Sequence, residues 1–477
     1  MRCGGPQGSL QRASFEEFRS QMEARIEAGL EKYHVPGASL ALVHRGAVVG
    51  QAVFGVARRG EPDLVARDTL FQVASISKPV SALGVLLLAE TGALDLDQPV
   101  ASYLQRWSFP QSRFDAPSIT ARQLLSHTAG TNIHGYPGFL PESSLPTLLE
   151  SLDGMTAGAG RVTVRSPPGK SVAYSSGGYT VLQLLVEEVS GQSFESYMKR
   201  HVLDPAGMSA SSFSPATGAH ATGHGWWGQP LPLYKFRARA ASGLQSTASD
   251  LARFIGHLFG PTSVGLSAGL RDAMLRPLDG RSSGFSLGFA MEGATGIDIV
   301  LHTGANRGWR SILAVSPETG DGLVLLTNSD RGLPLTTEAL CSWGEWVTGG
   351  ELASCWADRK SRGTILAVAI LLGVGLIMNG WGLALRYLSS ARRRLPGPVE
   401  RYRWLRWPRL VLSLVVLTLW WVFWYSDRIA VLREGIENII PVASLPPTFS
   451  WLTAVVTLWC LLGMVRSILG TRHEETN

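Results

Sequence analysis

The apolar positions of the first part of the chain follow a helical period at both ends. An apolar residue stands at every fourth position from Phe18 to Leu30, with charged residues between, which predicts an amphipathic helix from Phe15 that ends near residues 29–34. Residues 335–347 show a similar pattern and predict a last helix of the same kind. The run 80–90 is apolar on all sides, so we expect a helix buried in the core.

Short apolar and β-branched runs between turn residues indicate strands. Residues 38–43 and 48–54 flank a His-Arg-Gly turn, which predicts a hairpin. Further along the chain, four such runs predict an antiparallel meander: 285–291, 297–302, 311–316 and 322–327. Residues 131–165 are rich in glycine, proline and serine and are expected to form a long excursion over the surface.

Three longer apolar runs follow Arg362, at 364–385, 408–425 and 449–466. A membrane-spanning helix needs about 20 apolar residues. Tryptophan and tyrosine residues cluster near the ends of these runs, as they do at membrane interfaces. We therefore predict three transmembrane helices. The alternative, core helices of a soluble domain, is disfavoured by the all-round apolarity and by the arginine-rich connection between the first two runs.

The distribution of charge determines the predicted orientation and argues against nucleic-acid binding. The chain carries a net charge of +6, but residues 386–409 alone hold eight arginines and one glutamate, which leaves −1 for the rest. The arginine-rich connection should therefore lie in the cytoplasm, and residues 1–362 outside it. The main domain is not basic, so nucleic acid is not an expected partner. The expected partners are the lipid bilayer and a small-molecule or peptide substrate.

These patterns divide the chain into five parts: a polar segment 1–14, a globular domain 15–350, a juxtamembrane linker 351–362, a three-span membrane region 363–470 and a cytoplasmic tail 471–477. A domain outside the cytoplasm normally requires an export signal, and residues 1–14 contain no apolar stretch of that kind. We therefore expect the true start to lie upstream, with a signal peptide. The expected location is the cell membrane, with the globular domain extracytoplasmic.

The four cysteines show no spacing typical of a zinc site. Cys341 and Cys355 could form a disulfide if the domain is exported, because such bonds persist in oxidising compartments. Cys460 lies in an apolar run and is expected to be a small core residue.

The candidate chemistry begins with Ser75 and Lys78 at the start of the buried helix. Residues three apart on a helix share a face, and an adjacent amine can activate a serine hydroxyl. Alone this spacing is weak, since a helix-capping serine and a solvated lysine give the same pattern. Two further elements accompany it: Tyr174-Ser175-Ser176 after a Pro-Pro-Gly turn, and His302-Thr303-Gly304 on a predicted strand.

In combination, these elements resemble the signature set of the serine β-lactamase and penicillin-binding-protein superfamily. The resemblance covers roughly residues 18–347 and is to the class C-like branch, the S12 serine peptidases. It implies an α+β fold, in which an antiparallel sheet is flanked by helices and joined to an all-helical lobe. Here three predicted transmembrane helices would follow. The resemblance also implies a serine hydrolase, with neither cofactor nor metal.

The resemblance implies a role for each element. Ser75 would be the acylated nucleophile, Lys78 its proton acceptor or relay, and Tyr174 the group that passes the proton to the leaving group. Whether Lys78 or Tyr174 is the general base stays open. The backbone N–H groups of Ser75 and Ala305 would form the oxyanion hole. The strand 302–304 and Ser176 would contact the substrate, with Gly304 allowing close approach.

Two positions depart from the family pattern. Ser176 stands where asparagine is usual, and its shorter hydroxyl cannot reach as far toward the lysine and a substrate carbonyl. His302 stands where penicillin-recognising members have lysine, and a neutral imidazole is a weak anchor for a carboxylate. Arg307 or Arg310 could supply that charge instead, although surface arginines are the simpler interpretation. His127 is interpreted as structural, because a serine-lysine-tyrosine system requires no histidine.

The whole architecture, an extracytoplasmic domain followed by three membrane spans, resembles the prodrug-activating peptidases of nonribosomal peptide pathways, such as the colibactin-maturing peptidase. That resemblance implies a membrane-anchored peptidase that cleaves an amide bond, with specificity for a D-amino acid or a prodrug. The alternatives are a carboxylesterase of the same fold and, from another class, a β-lactam sensor or a protein that only binds cell-wall peptides. Chromogenic esters would separate esterase from peptidase.

Overall fold

The computed structural model describes five stretches of the chain: residues 14–214, 218–259, 265–277, 283–294 and 297–356. They belong to the first of two units into which the chain divides, 1–356 and 357–477. Within these five stretches, no helix combines the length and apolarity needed to span a bilayer. The three predicted spans at 364–385, 408–425 and 449–466 lie outside the described residues, and they stay predictions.

The described unit contains both helices and strands. The helices are α1 Phe15–Tyr33, α2 Ser77–Glu90, α3 Ala121–Leu125, α4 Leu148–Leu152, α5 Ser176–Ser190, α6 Phe194–Met198, α7 Arg239–Ser242, α8 Ala248–Phe259, α9 Ala268–Leu275 and α10 Leu333–Thr348. The strands are β1 Gly37–His44, β2 Ala47–Gly55, β3 Phe71–Gln72, β4 Gln245–Ser246, β5 Ser283–Phe285, β6 Ala290–Ala294, β7 Ile297–Asn306, β8 Trp309–Val315 and β9 Gly322–Thr327.

Seven strands form an antiparallel sheet in the order β2-β1-β9-β8-β7-β6-β5. Side chains alternate between its faces, as the pleat of a strand requires. Leu323 and Leu325 pack into a cluster with Phe18 of α1 and Trp343 of α10. Val324 on the same strand joins the larger cluster that holds the remaining helices. The predicted α+β fold, with helices packed on an antiparallel sheet, is therefore confirmed.

The hairpin and meander predictions hold, with one strand placed differently. β1 pairs with β2, and β5 to β9 form a continuous antiparallel meander. The predicted strand 285–291 is wrong in its middle, because β5 ends at Phe285 and β6 begins at Ala290. Gly288 turns the chain there with φ of 117°, and a Cβ on it would lie 2.7 Å from Ala82 of α2. A residue with a side chain would not fit this left-handed turn.

The excursion predicted over 131–165 is only partly on the surface. Leu152 and Val162 are fully buried in the main core. The carbonyl of Ile133 accepts a hydrogen bond from the backbone N–H of Ser176 at 2.8 Å. Isolated apolar residues in a Gly-rich segment show no period, so their burial could not be read from the pattern. This segment forms one wall of the candidate site described below.

Cys341 and Cys355 form a disulfide, with their Cα atoms 5.8 Å apart. The bond links α10 to a short helical turn at residues 353–356. Sequence alone left this pairing open, because only the fold brings the two Cα atoms within bonding range.

Candidate active site

Ser75 lies in a 3₁₀ turn, Ala74–Ile76, that leads directly into α2. Ala74 has φ of 50°, a left-handed conformation that is unfavourable for a residue with a side chain and that often occurs at functional sites. The hydroxyl of Ser77 stabilises the turn, because it accepts a hydrogen bond from the N–H of Leu244 at 2.9 Å. Ser75 is partly exposed, while Ala74 and Ile76 are buried. The turn therefore presents a single serine to the solvent.

Lys78 is fully buried beside Ser75. Its Nζ lies 3.0 Å from Ser75 Oγ and donates a second hydrogen bond to the carbonyl oxygen of Ala241 at 2.9 Å. Burial lowers the pKa of Lys78 well below its usual value, because the charged form loses its hydration. The site therefore favours the neutral amine, the form that can accept a proton.

Tyr174 reaches Ser75 from the other side. Its phenol O–H donates to Ser75 Oγ at 2.9 Å. Burial raises the pKa of Tyr174, and hydrogen bonds with Ser75 and Ser176 offset only part of that increase. Lys78 Nζ also lies 4.8 Å from the centre of the Tyr174 ring. The structure thus brings together residues up to 99 positions apart in the chain. The buried amine of Lys78 and the protonated phenol of Tyr174 both lie within hydrogen-bond distance of the Ser75 hydroxyl.

Ser176 is the first residue of α5 and is fully buried. Its hydroxyl donates to the carbonyl oxygen of His134 at 2.7 Å. The side chain therefore ties the excursion to α5, and the hydrogen bonds of Lys78 run to Ser75 and Ala241 instead. This geometry agrees with the shorter reach expected of serine at this position.

β7 runs beside the Ala74–Ile76 turn that carries Ser75, and Gly304 makes this proximity possible. A Cβ at Gly304 would collide with the carbonyl oxygen of Val73 and the hydroxyl of Ser311. Only glycine permits this approach of the two backbones. Ala305 and Thr303 on either side are exposed, so they border the open side of the site. The predicted oxyanion role of Ala305 stays a prediction.

His302 of β7 is buried and neutral. Its Nδ1 lies 2.8 Å from the carbonyl oxygen of Thr303, which assigns the proton to Nδ1. Burial is the largest cause that lowers the pKa of His302 to about 3, because the charged imidazolium would lose its hydration. Its Nε2 is buried and has no hydrogen-bond partner among the described residues. An imidazole in this state carries no charge to attract a carboxylate.

We expect the neutral His302 to make the fold sensitive to acid. In the unfolded chain this histidine titrates near its ordinary pKa of 6.5, whereas the folded value is about 3. Between these two pH values the unfolded state binds one more proton, so the free energy of unfolding falls as pH falls, by about 1.4 kcal/mol per pH unit. In urea unfolding at several pH values, His302→Gln should show a shallower fall over this window. If the free energy of unfolding depended on pH equally in His302→Gln and wild type, His302 would not be buried as a neutral imidazole.

Two other histidines surround the phenol of Tyr174. The His127 ring lies 4.5 Å from the Tyr174 ring, and its Nδ1 accepts the N–H of Ser175 at 3.1 Å. Burial is the largest cause that lowers the pKa of His127 well below its usual value. These contacts agree with the structural role expected for His127.

The second of these histidines, His134, has its ring 4.9 Å from the ring of Tyr174. Sequence reasoning did not select His134, nor Ala241, whose backbone carbonyl holds Lys78. No motif marks His134 in its Gly-rich segment, and a backbone carbonyl depends on the fold and not on residue type.

The two candidate arginines differ in their surroundings. Arg310 is buried and forms an ion pair with Asp330 at 2.9 Å, so the suggestion that it could anchor a substrate carboxylate is wrong. Arg307 is exposed at the β7–β8 turn, and its guanidinium lies 5.2 Å from the centre of the Tyr234 ring. Within the described ranges, no cluster of histidine, cysteine and carboxylate side chains could hold a metal ion.

Known proteins are similar to this chain in sequence and in fold. Penicillin-binding protein 4 of Amycolatopsis lactamdurans is 29% identical over 328 residues, which cover 64% of this chain and 84% of that protein. A match to Protein flp of Staphylococcus aureus (strain COL), at 27% identity, covers 41% of this chain and 39% of that protein. The structure of D-amino acid amidase from Ochrobactrum anthropi SV3 superposes with a TM-score of 0.55 at 22% identity, over 67% of this chain and 97% of the amidase.

The amidase likeness, at this identity, shows the fold alone. The family model described as Beta-lactamase matches residues 22–339, which include Ser75, Lys78, Tyr174 and β7. This range agrees with the resemblance found over residues 18–347. The chain therefore belongs to the Beta-lactamase family and is a serine hydrolase of the β-lactamase and penicillin-binding-protein type.

Proposed function

We propose that this hydrolase cleaves an amide or peptide bond through an acyl-enzyme on Ser75. The observation that carries the proposal is the position of Ser75 Oγ, which lies 3.0 Å from the Lys78 amine and 2.9 Å from the Tyr174 hydroxyl. A serine hydroxyl needs a proton acceptor to become a nucleophile, and an amine leaving group needs a proton donor. Lys78 can supply the proton acceptor, and Tyr174 can supply the proton donor.

The pKa directions support one division of the two roles. The depressed pKa of Lys78 favours a neutral amine that takes the Ser75 proton while Oγ attacks the substrate carbonyl carbon. The raised pKa of Tyr174 keeps its phenol protonated, so it can donate to the nitrogen as the carbon–nitrogen bond breaks. The ammonium of Lys78, whose Nζ lies 4.8 Å from the centre of the Tyr174 ring, then returns a proton to the Tyr174 phenolate, which leaves both groups neutral again. Water then attacks the acyl carbonyl carbon, and the protons move in the reverse direction, through Tyr174 and Lys78, until Ser75 Oγ has recovered its proton.

The N–H groups of Ser75 and Ala305 are the proposed donors to the oxyanion. In the turn that carries Ser75, the N–H groups of Ile76 and Ser77 donate hydrogen bonds to backbone carbonyl oxygens of the turn. The contact of Gly304 with Val73 holds the backbone of β7 against this turn. Preorganised backbone donors of this kind are a large contribution to catalysis in acyl transfer.

An uncharged group at the cleaved end of the substrate suits this site. His302 is neutral and Arg310 is paired with Asp330, so neither offers a charge to a free carboxylate. The guanidinium of Arg307 instead lies against Tyr234, 5.2 Å from the centre of its ring. We therefore propose that the substrate carries an amide, in a D-amino-acid derivative or a prodrug cap. The fold shared with a D-amino acid amidase is compatible with this choice.

The proposed location is extracytoplasmic, with the hydrolase domain attached to the membrane through the apolar runs beyond Arg362. The Cys341–Cys355 disulfide supports this proposal, because such bonds are rare in the reducing cytoplasm. The clustered arginines between the first two runs support the same orientation.

Covalent labelling tests the acyl-enzyme. Incubation with a fluorophosphonate or a β-lactam, followed by peptide mass spectrometry, should place one adduct on Ser75. Ser75→Ala should remain unlabelled. Ser211→Ala, which removes a hydroxyl hydrogen-bonded to Ser246 and Asp250, should be labelled on Ser75 as in wild type. An adduct on another serine, or none with any acylating probe, would overturn the proposal.

A carboxylesterase is the second candidate, because the neutral His302 also suits an uncharged ester. Matched p-nitroanilide and p-nitrophenyl ester substrates with the same acyl group separate the two. Turnover of the ester alone, even with Lys78 and Tyr174 intact, would favour the esterase.

A further inference from the structure

An apolar pocket lies next to the candidate active site. It has a volume of about 190 Å³. Six of its lining residues are apolar or aromatic: Pro141, Leu145, Phe213, Leu233, Tyr234 and Phe236. They come from distant parts of the chain, the 131–165 excursion among them, so only the folded protein forms this pocket.

Two segments of the catalytic machinery border the apolar pocket. Gln72, three residues before Ser75, is one of its lining residues. The Gln72 amide nitrogen donates to the carbonyl oxygen of Tyr234 at 2.6 Å, and its oxygen accepts from Asn306, which follows Ala305. Ser242, another lining residue, directly follows Ala241, the carbonyl partner of Lys78. The pocket wall is thus continuous with the backbone that positions the nucleophile and its amine.

The pocket also contains two cationic side chains, and both are engaged elsewhere. The ammonium of Lys235 donates to the carbonyl oxygen of Ser143 at 2.7 Å. The guanidinium of Arg239 forms an ion pair with Glu195. The charge of Arg239 is therefore paired with a carboxylate, and the Lys235 ammonium is held by a backbone carbonyl, so the remaining surface suits an uncharged apolar group. A cavity of about 150 Å³ with apolar walls is large enough to bind benzene, so this one can accommodate a single ring or a short branched chain.

The position of Tyr174 indicates which half of the substrate would enter. Tyr174 protonates the leaving group in the proposed mechanism, so the leaving group must lie on its side, near His134, Phe285 and His302. Within the part of the chain that the structure describes, none of these residues lines the apolar pocket. The pocket therefore belongs to the acyl side of the bond.

We propose that the apolar pocket binds an uncharged group about the size of a phenyl ring in the acyl portion of the substrate. This proposal rests on the acyl-enzyme function proposed above. It narrows the substrate class to acyl donors with a compact apolar side group near the cleaved carbonyl.

Selectivity between two esters tests the proposal. Wild-type protein should turn over p-nitrophenyl phenylacetate with a kcat/KM about tenfold to a hundredfold above that for p-nitrophenyl acetate, the range expected for burying one ring. Leu233→Trp fills the pocket and should reduce this ratio at least tenfold. Leu231→Trp, a half-buried position two residues away that does not line the pocket, should leave the ratio unchanged. An unchanged ratio in Leu233→Trp would overturn the proposal.

A binding measurement separates the pocket from the chemistry. In the Ser75→Ala background, phenylacetamide should bind in an NMR titration, and both Leu233→Trp and Leu145→Trp should weaken binding about tenfold or more. The second variant fills the pocket from a different segment of the chain, so one misfolded variant cannot decide the result. Binding that both variants weaken, combined with a wild-type protein that no acylating probe labels, would retain the pocket and reject the acyl-enzyme. Binding that is insensitive to both would reject the pocket.

Discussion

Lys78→Met is expected to reduce kcat/KM for an amide substrate by at least about a thousandfold, because it removes the proton acceptor of Ser75. Methionine has a similar length and fills the buried site without an amine. The effect should appear in the acylation step, as measured by single-turnover labelling of Ser75. Lys199→Met, at an exposed lysine paired with Asp204, is a control that should keep wild-type activity. Retention of more than a tenth of wild-type activity in Lys78→Met would contradict the proposed role.

The same variant should change how stability depends on pH. The folded pKa of Lys78 lies below the unfolded value of 10.5, so between these values the unfolded state binds one more proton. Wild-type stability therefore rises with pH toward 10.5, as the cost of keeping the amine neutral disappears. Lys78→Met has no amine to titrate, so urea unfolding between pH 7 and 10 should show a smaller rise. Parallel curves for the two proteins would mean that Lys78 is charged in the fold.

Tyr174→Phe is expected to reduce kcat/KM for an amide by about 10²–10⁴, the range for loss of a general acid. The loss should be much smaller for a p-nitrophenyl ester, because nitrophenolate leaves without protonation. Tyr136→Phe is the matched control, since it removes a hydroxyl that lies 2.7 Å from Thr180. Equal losses for the amide and the ester would argue against proton donation by Tyr174.

A tyrosinate at position 174 is the alternative base, and it predicts a different pH profile. A high pKa for Tyr174 would then place the rise in activity at alkaline pH. With Lys78 as the acceptor, activity should instead rise as the amine deprotonates, at a pH well below 10.5. In Tyr174→Phe, the residual ester activity should keep this rise if Lys78 is the acceptor. Its disappearance would identify Tyr174 as the base.

Much of the fold could be predicted because it depends on local patterns. Period-four apolar positions predicted α1, and apolar runs around a tight turn predicted the β1–β2 hairpin. The region around Gly288 could not be predicted, because its turn depends on contact with Ala82 of α2. The burial of Val162 depends likewise on segments that meet only in the folded chain.

The candidate site shows the same division. The i, i+3 spacing of Ser75 and Lys78 already placed their side chains on one face, and the structure separates them by 3.0 Å. Tyr174 entered only through the family resemblance, since no periodicity connects residues so far apart. Arg310 was a candidate anchor by sequence, and its pairing with Asp330 removed it.

By itself, the sequence predicted most of the secondary-structure elements, the family and Ser75 as the candidate nucleophile, because spacing along a helix or strand is a local property that residue types reveal. Only the tertiary structure decided the protonation states and hydrogen-bond partners of the site residues. Burial favours the neutral forms of Lys78 and His302 because surrounding elements exclude water from them, and the Ser176 hydroxyl bonds to His134 because α5 meets the excursion there. Hydration and hydrogen-bond partners depend on residues far apart in the chain, so these properties exist only after the chain has folded.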